Sequence, residues 1–188
     1  ICKRKNLTVA TAESCTAGLV AGTLTEIPGV SSILDRGFIT YSNQAKQDMI
    51  GVSAATLAAH GAVSRQTAEE MARGALAHAP VDLAVSVTGI AGPDGGSAEK
   101  PVGLVHFGAA ARSGQFVHAE KRFGNIGRAE VRKQSVLQAF RMLHDLAERE
   151  PALAPAGRLC LSNMRWPSVF ERGVHRALRR LARLAQRM

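Results

Sequence analysis

Gly29–Gly51, read as GVSSILDRGFITYSNQAKQDMIG, is the stretch on which the fold turns. A β-prone run, Gly37-Phe38-Ile39-Thr40-Tyr41, meets a polar break at Ser42-Asn43, and a helical segment carrying Lys46 follows up to Gly51. Ser42 or Asn43 suits the N-cap of that helix and Gly51 its stop. The same stretch gathers two hydroxyls (Ser31, Ser32), a phenol (Tyr41) and an amine (Lys46), the groups that amide hydrolysis without a metal requires. A serine hydroxyl needs a base to take its proton, and a lysine can serve if burial or a neighbouring charge lowers its pKa. On a single helix Tyr41 and Lys46 would lie about 140° apart. With Tyr41 ending a strand and Lys46 in the first turn of the next helix, both can point into one cleft. Exposed Ser, Tyr and Lys are common on soluble proteins, so the trio alone decides nothing.

Upstream, Leu7–Ala12 reads as a strand and Glu13-Ser14-Cys15-Thr16-Ala17-Gly18 as a hydroxyl-rich turn into a helix that ends at Pro28-Gly29. Leu19, Val20, Leu24 and Ile27 are spaced for its buried side. Such a turn leaves backbone N–H groups free at the positive end of the helix, a natural anion site, although Ser14 or Thr16 can equally be a plain N-cap. Cys15 at this position reads as a small packed thiol in preference to a nucleophile.

Downstream, Ser53 and Ser64 can cap two helices, the second with Ala68, Met71, Ala72 and Ala75 inward and stopped by Pro80. Leu83–Val87 is a short apolar run of the kind that forms an interior strand. It leads into Thr88-Gly89-Ile90-Ala91-Gly92-Pro93-Asp94-Gly95-Gly96, whose four glycines let backbone approach a ligand or simply connect. The loop lacks the GK[ST] ending of a Walker A motif and is not GxGxxG. Residues 102–111 and 115–123 read as a hairpin turning at Arg112-Ser113-Gly114. A final helix over 127–148 buries Val131, Leu137, Phe140, Leu143 and Ala147, with Arg128 and Arg132 one turn apart near its start. This order of elements predicts an α/β fold, a layered α/β/α domain with a mixed central sheet.

Hydrophobic residues make up 46% of the 188 positions, enough for a sizeable core, but aromatics only 4%, so small side chains must do most of the packing. No apolar run approaches the roughly 18 residues of a membrane span. Three scattered cysteines imply no disulfide framework and fit a reducing cytoplasm. The six histidines show no metal-ligand spacing, and neither a metal nor a cofactor is expected. The net charge of +9 divides unevenly: residues 1–149 hold 16 basic and 13 acidic side chains, whereas residues 150–188 hold 8 Arg and 2 Glu. Nucleic-acid contact is therefore a question about the tail, not about the domain. The boundary is expected at 149/150, with an Arg-rich extension, partly helical or disordered, over 150–188. The chain opens at Ile1 without Met, so its true start is expected to lie further upstream.

TAESCTAG, PGVSS…GFITYSNQAK, HGAVS, VTGIAGPDGG and KPVGLVHFG occur in this order. Together they resemble the CinA C-terminal domain family, over about residues 5–148. The resemblance implies nicotinamide-mononucleotide amidase activity: hydrolysis of the nucleotide's carboxamide to nicotinate mononucleotide and ammonia. It implies Ser31 as nucleophile, with Tyr41 and Lys46 completing the catalytic group. The family's usual SCTGG reads SCTAG here, with Ala17 in place of a glycine. A mononucleotide also needs phosphate and ribose contacts, for which Ser14, Thr16, Gly18, Thr88, Gly89 and Gly92 are the candidates after two strand ends. Arg128 and Arg132 could add phosphate contacts, their alternative being a solvated helix face. The expected partners are a small mononucleotide and further copies of the chain, with no membrane. A rival from another class is a non-catalytic nucleotide-binding or DNA-associated module.

Overall fold

Ser42 caps the helix that the opening stretch predicts: its Oγ accepts the Ala45 amide at 3.0 Å, and Gly51 ends the helix at φ 68°. These bonds belong to a computed structural model, which describes residues 1–153. In chain order the elements are α1 (Cys2–Lys5), β1 (Val9–Glu13), α2 (Leu19–Thr25), a 3-10 turn (Val30–Ser32), β2 (Leu34–Ile39), α3 (Asn43–Ile50) and α4 (Ala54–His60). They continue with α5 (Arg65–Ala77), β3 (Leu83–Gly89), β4 (Leu104–Ala111), β5 (Phe116–Arg122) and α6 (Arg128–Arg149). The five strands form one mixed sheet in the order β2-β1-β3-β4-β5. β1 is parallel to β2 and β3, and the β4–β5 hairpin continues the sheet antiparallel to β3.

Strand alternation sorts the core into two layers. Val9, Val85, Val87, Val105 and Phe107 face α2 and α6, packing against Val20, Val131, Ala139 and Leu146. Ala12 and Ala84 face the other way, beneath Ile50 of α3, Leu57 of α4 and Met71 and Ala75 of α5. Small residues let the helices sit close. A Cβ on Gly74 would fall 2.0 Å from the Ile50 carbonyl, so α5 and α3 cross where only glycine fits.

Periodicity overstated burial at three positions. Leu19 and Ile27 of the α2 region are 39% and 54% exposed, because α2 lies at the β2 edge of the sheet and buries only Val20 fully. Leu137 is 40% exposed, while Val136 on the next position of α6 is buried. The domain also runs past the expected boundary. Lys5 Nζ donates to the carbonyls of Ala147, Glu148 and Glu150 at 3.0, 2.8 and 2.8 Å, and the Leu153 amide donates to the Lys5 carbonyl at 2.9 Å. The carboxylate of Glu150 accepts from Ser113 and Gln115 at 2.7 and 2.8 Å. Residues 150–153 thus belong to the packed unit. The rest of the Arg-rich extension lies outside the described residues. Among those described, no helix is long and apolar enough to cross a membrane.

Candidate active site

The chain leaves β1 toward one face of the sheet through α2 and leaves β2 toward the other through α3–α5, so the loops part at the carboxyl end of β1. In open α/β sheets that crevice is where ligands sit. Ser14, the first residue past β1, occupies it, with its amide bonded to the Val87 carbonyl of β3 at 2.9 Å. Lys46, in the first turn of α3, reaches back across the end of β2. Its Nζ donates to Ser14 Oγ at 3.1 Å, to the Thr40 carbonyl at 2.7 Å and to the Tyr41 carbonyl at 3.4 Å. The lysine is wholly buried, and among the described residues its amine touches oxygens of neutral groups only. Desolvation of the ammonium pushes its pKa down to about 8, against a small opposing pull from Cys15. A hydroxyl and an amine with a lowered pKa in hydrogen-bond contact have the chemistry to act as nucleophile and base.

Tyr41 contributes its carbonyl to Lys46, while its side chain is 57% exposed and accepts from Arg128 Nη2 at 3.3 Å. Arg128 Nη1 donates to the Gly92 carbonyl at 3.0 Å, so this arginine ties the glycine-rich loop to the phenol. Arg132, one turn on, donates from Nη2 to the Thr16 carbonyl at 3.0 Å. Arg132, Lys46 and Arg128 all pull the pKa of the Cys15 thiol down, and the two guanidinium groups beside the turn suit an anionic substrate. The thiol itself is buried, and burial outweighs them, pushing its pKa up to about 11, so it stays un-ionised near neutral pH.

Ser31 is not part of this group. It stands in the exposed 3-10 turn before β2, whereas Tyr41 and Lys46 follow β2. The strand between them is 6 residues long. At about 3.3 Å per residue that separates the two ends by about 20 Å, far beyond hydrogen-bond reach. Ser31, Tyr41 and Lys46 are close in sequence and lie at opposite ends of the parallel strands.

The anion site expected at the start of α2 is filled by the chain itself. Glu13, 1% exposed, accepts the amides of Gly18 and Val20 on Oε2 at 2.9 and 3.0 Å, and the Ala21 amide and Thr11 hydroxyl on Oε1 at 2.9 and 3.0 Å. Gly18 therefore has no amide to offer a phosphate; its φ of 93° serves the turn. Thr88 uses its hydroxyl on the Ala62 carbonyl at 2.7 Å. Gly89 is pressed against β4, where a Cβ would meet Val105 Cγ2 at 2.7 Å. Of the loop's candidates, Gly92 reaches the site, through its carbonyl on Arg128.

Sequence reading missed Glu13 and Thr40. An acid five residues ahead of Gly18, at the end of a strand, was the available signal for the first. For the second it was strand alternation, which puts Thr40 on the inward face with Phe38.

The sequence pattern of the CinA C-terminal domain matches residues 1–147. A protein of Enterobacter agglomerans named nicotinamide-nucleotide amidohydrolase PncC is 53% identical over 135 residues, 72% of this chain and 82% of the relative. The protein of the same name from Escherichia coli K12 is 52% identical over 141 residues, 75% of this chain and 85% of its own. A putative competence-damage inducible protein of Acetivibrio thermocellus is 49% identical over 138 residues, and there the match spans only 33% of the relative's length. Among solved structures, the competence/damage inducible protein CihA of Agrobacterium tumefaciens superposes with a TM-score of 0.77 at 57% identity, covering 78% of this chain and 88% of that one.

Proposed function

We propose, because the chain belongs to the CinA C-terminal domain family, that it is a nicotinamide-nucleotide amidohydrolase working through Ser14 and Lys46. Amidohydrolases of this name share about half their residues with it over most of their length. The substrate is then nicotinamide mononucleotide, and the products are nicotinate mononucleotide and ammonia, a step of pyridine-nucleotide salvage. The observation that carries the mechanism is the 3.1 Å contact between Ser14 Oγ and a buried Lys46 amine whose pKa is about 8.

With Lys46 neutral, Ser14 Oγ attacks the carboxamide carbon and its proton passes to Nζ. The tetrahedral intermediate collapses by breaking the C–N bond, and the nitrogen leaves as ammonia with the proton returned from Lys46. Water then attacks the acyl-serine, Lys46 again taking the proton, and Ser14 is restored as the carboxylate product departs. No metal is asked for, since the lysine supplies the base. Arg128, near the turn, offers positive charge to the nucleotide's phosphate, and Tyr41 stands at the mouth of the cleft, bonded to Arg128. A cytoplasmic setting belongs to the same proposal, on the free thiols of Cys2 and Cys15.

Ammonia release from nicotinamide mononucleotide by the purified chain tests the reading. Steady turnover supports it. A salt-dependent shift of DNA with no hydrolysis would replace it with the binding-module alternative.

A further inference from the structure

Among the described residues, three buried side-chain polar atoms have no hydrogen-bond partner: Thr16 Oγ1, Thr40 Oγ1 and Arg132 Nε. All three belong to residues that surround the Ser14–Lys46 pair. The Thr40 carbonyl holds Lys46 Nζ at 2.7 Å; Thr16 stands two residues past Ser14, and its carbonyl holds Arg132 Nη2 at 3.0 Å. Both threonines are completely buried. In the register of β1 and β2, Ala12 faces Phe38, so two residues on Ser14 and Thr40 leave neighbouring strands on the same face of the sheet. Elsewhere among the described residues buried hydroxyls are satisfied: Thr11, Thr67, Ser86, Thr88 and Ser135 each donate to an oxygen. Leaving a buried hydroxyl unsatisfied is costly, and among the described residues the atoms left so belong to Thr16, Thr40 and Arg132.

We propose that the Thr16 and Thr40 hydroxyls are the hydrogen-bond partners of the substrate's reacting carboxamide, with Arg132 Nε a further donor beside Thr16. This rests on the amidohydrolase reading and gives it a recognition site. A carboxamide presents an oxygen that accepts and a nitrogen with two hydrogens to donate; a hydroxyl can answer either, and a guanidinium N–H answers only the oxygen. When Ser14 Oγ bonds to the carbon, the carbonyl oxygen gains charge and donors beside it strengthen. On the other side of the carbon, an accepting hydroxyl orients the leaving nitrogen so that its lone pair can take the proton. Two hydroxyls and one N–H match an amide better than the carboxylate product, which has no hydrogens to give.

Valine keeps the shape of threonine and removes the hydroxyl, so Thr16→Val and Thr40→Val separate contact from packing. The expected result is a fall in kcat/KM for nicotinamide mononucleotide of about tenfold or more for each, with Tm unchanged or raised, and recovery of most activity in Thr16→Ser and Thr40→Ser. Valine variants within threefold of the parent, or serine variants no better than valine, would overturn the proposal. Should a valine variant fail to fold, the serine variant and its double with the other position's valine carry the comparison. A parent chain that releases no ammonia would sink the amidohydrolase reading instead. Calorimetric titration with nicotinamide mononucleotide then decides this proposal by itself: weaker binding to the valine variants upholds it, and binding equal to the parent, or none at all, rejects it.

Discussion

The Gly18 amide donates to the carboxylate of Glu13 at 2.9 Å, and with this bond the strand-to-helix turn closes on its own anion. Ala17 inside the turn is held at φ 50°, a left-handed conformation that an alanine adopts only at some cost. The carboxylate caps α2 where a phosphate would otherwise be expected, and its fixed grip on three amides sets the direction in which Ser14 emerges.

Glu13→Gln should therefore destabilise the protein, because an amide NH₂ would face N–H donors that now share a carboxylate. We expect a loss of about 2–4 kcal/mol, read as a lower urea midpoint with the m-value unchanged. A midpoint equal to the parent's would mean that the turn holds its shape without the charge.

Lys46 makes stability depend on pH with a defined sign. Its folded pKa of about 8 lies below the ordinary 10.5, so the unfolded chain binds the proton more tightly than the folded one. Between about pH 8 and 10.5 the unfolded state then holds more protons, and stability from this group rises with pH. Below pH 8 the penalty for burying the charge is fully present, about 3 kcal/mol. Lys46→Met lacks that penalty. Relative to the parent, the variant's stability advantage should shrink as pH rises from 7 to 10, measured by urea unfolding at each pH. A gap that stays constant or widens would show that the folded pKa is not lowered.

What was legible in the sequence was local. The caps of α3, α4 and α5 at Ser42, Ser53 and Ser64 are one-residue signals, and each side chain accepts from an amide two or three positions on. The order of strands and helices followed from such punctuation and from apolar runs. The partner of Lys46 was not legible, because Ser14 lies 32 positions away and meets it only after β1 and β2 have paired. The family resemblance and proximity in sequence both point to Ser31, and a strand read three residues too short, from Gly37 rather than Leu34, hides the length of chain that separates it from Tyr41. Spacing marks Leu19 and Ile27 as core because it shows which side of a helix is apolar but not how far the sheet beneath it extends.

The proposed nucleophile is Ser14, activated by Lys46. It is tested most directly by measuring ammonia release from nicotinamide mononucleotide by Ser14→Ala and Ser31→Ala side by side, with Tm recorded for each. Ser14→Ala is expected to lose activity by about a thousandfold or more at an unchanged Tm, since no other group forms the covalent bond, while Ser31→Ala stays within tenfold of the parent. An active Ser14→Ala together with an inactive, folded Ser31→Ala would contradict it.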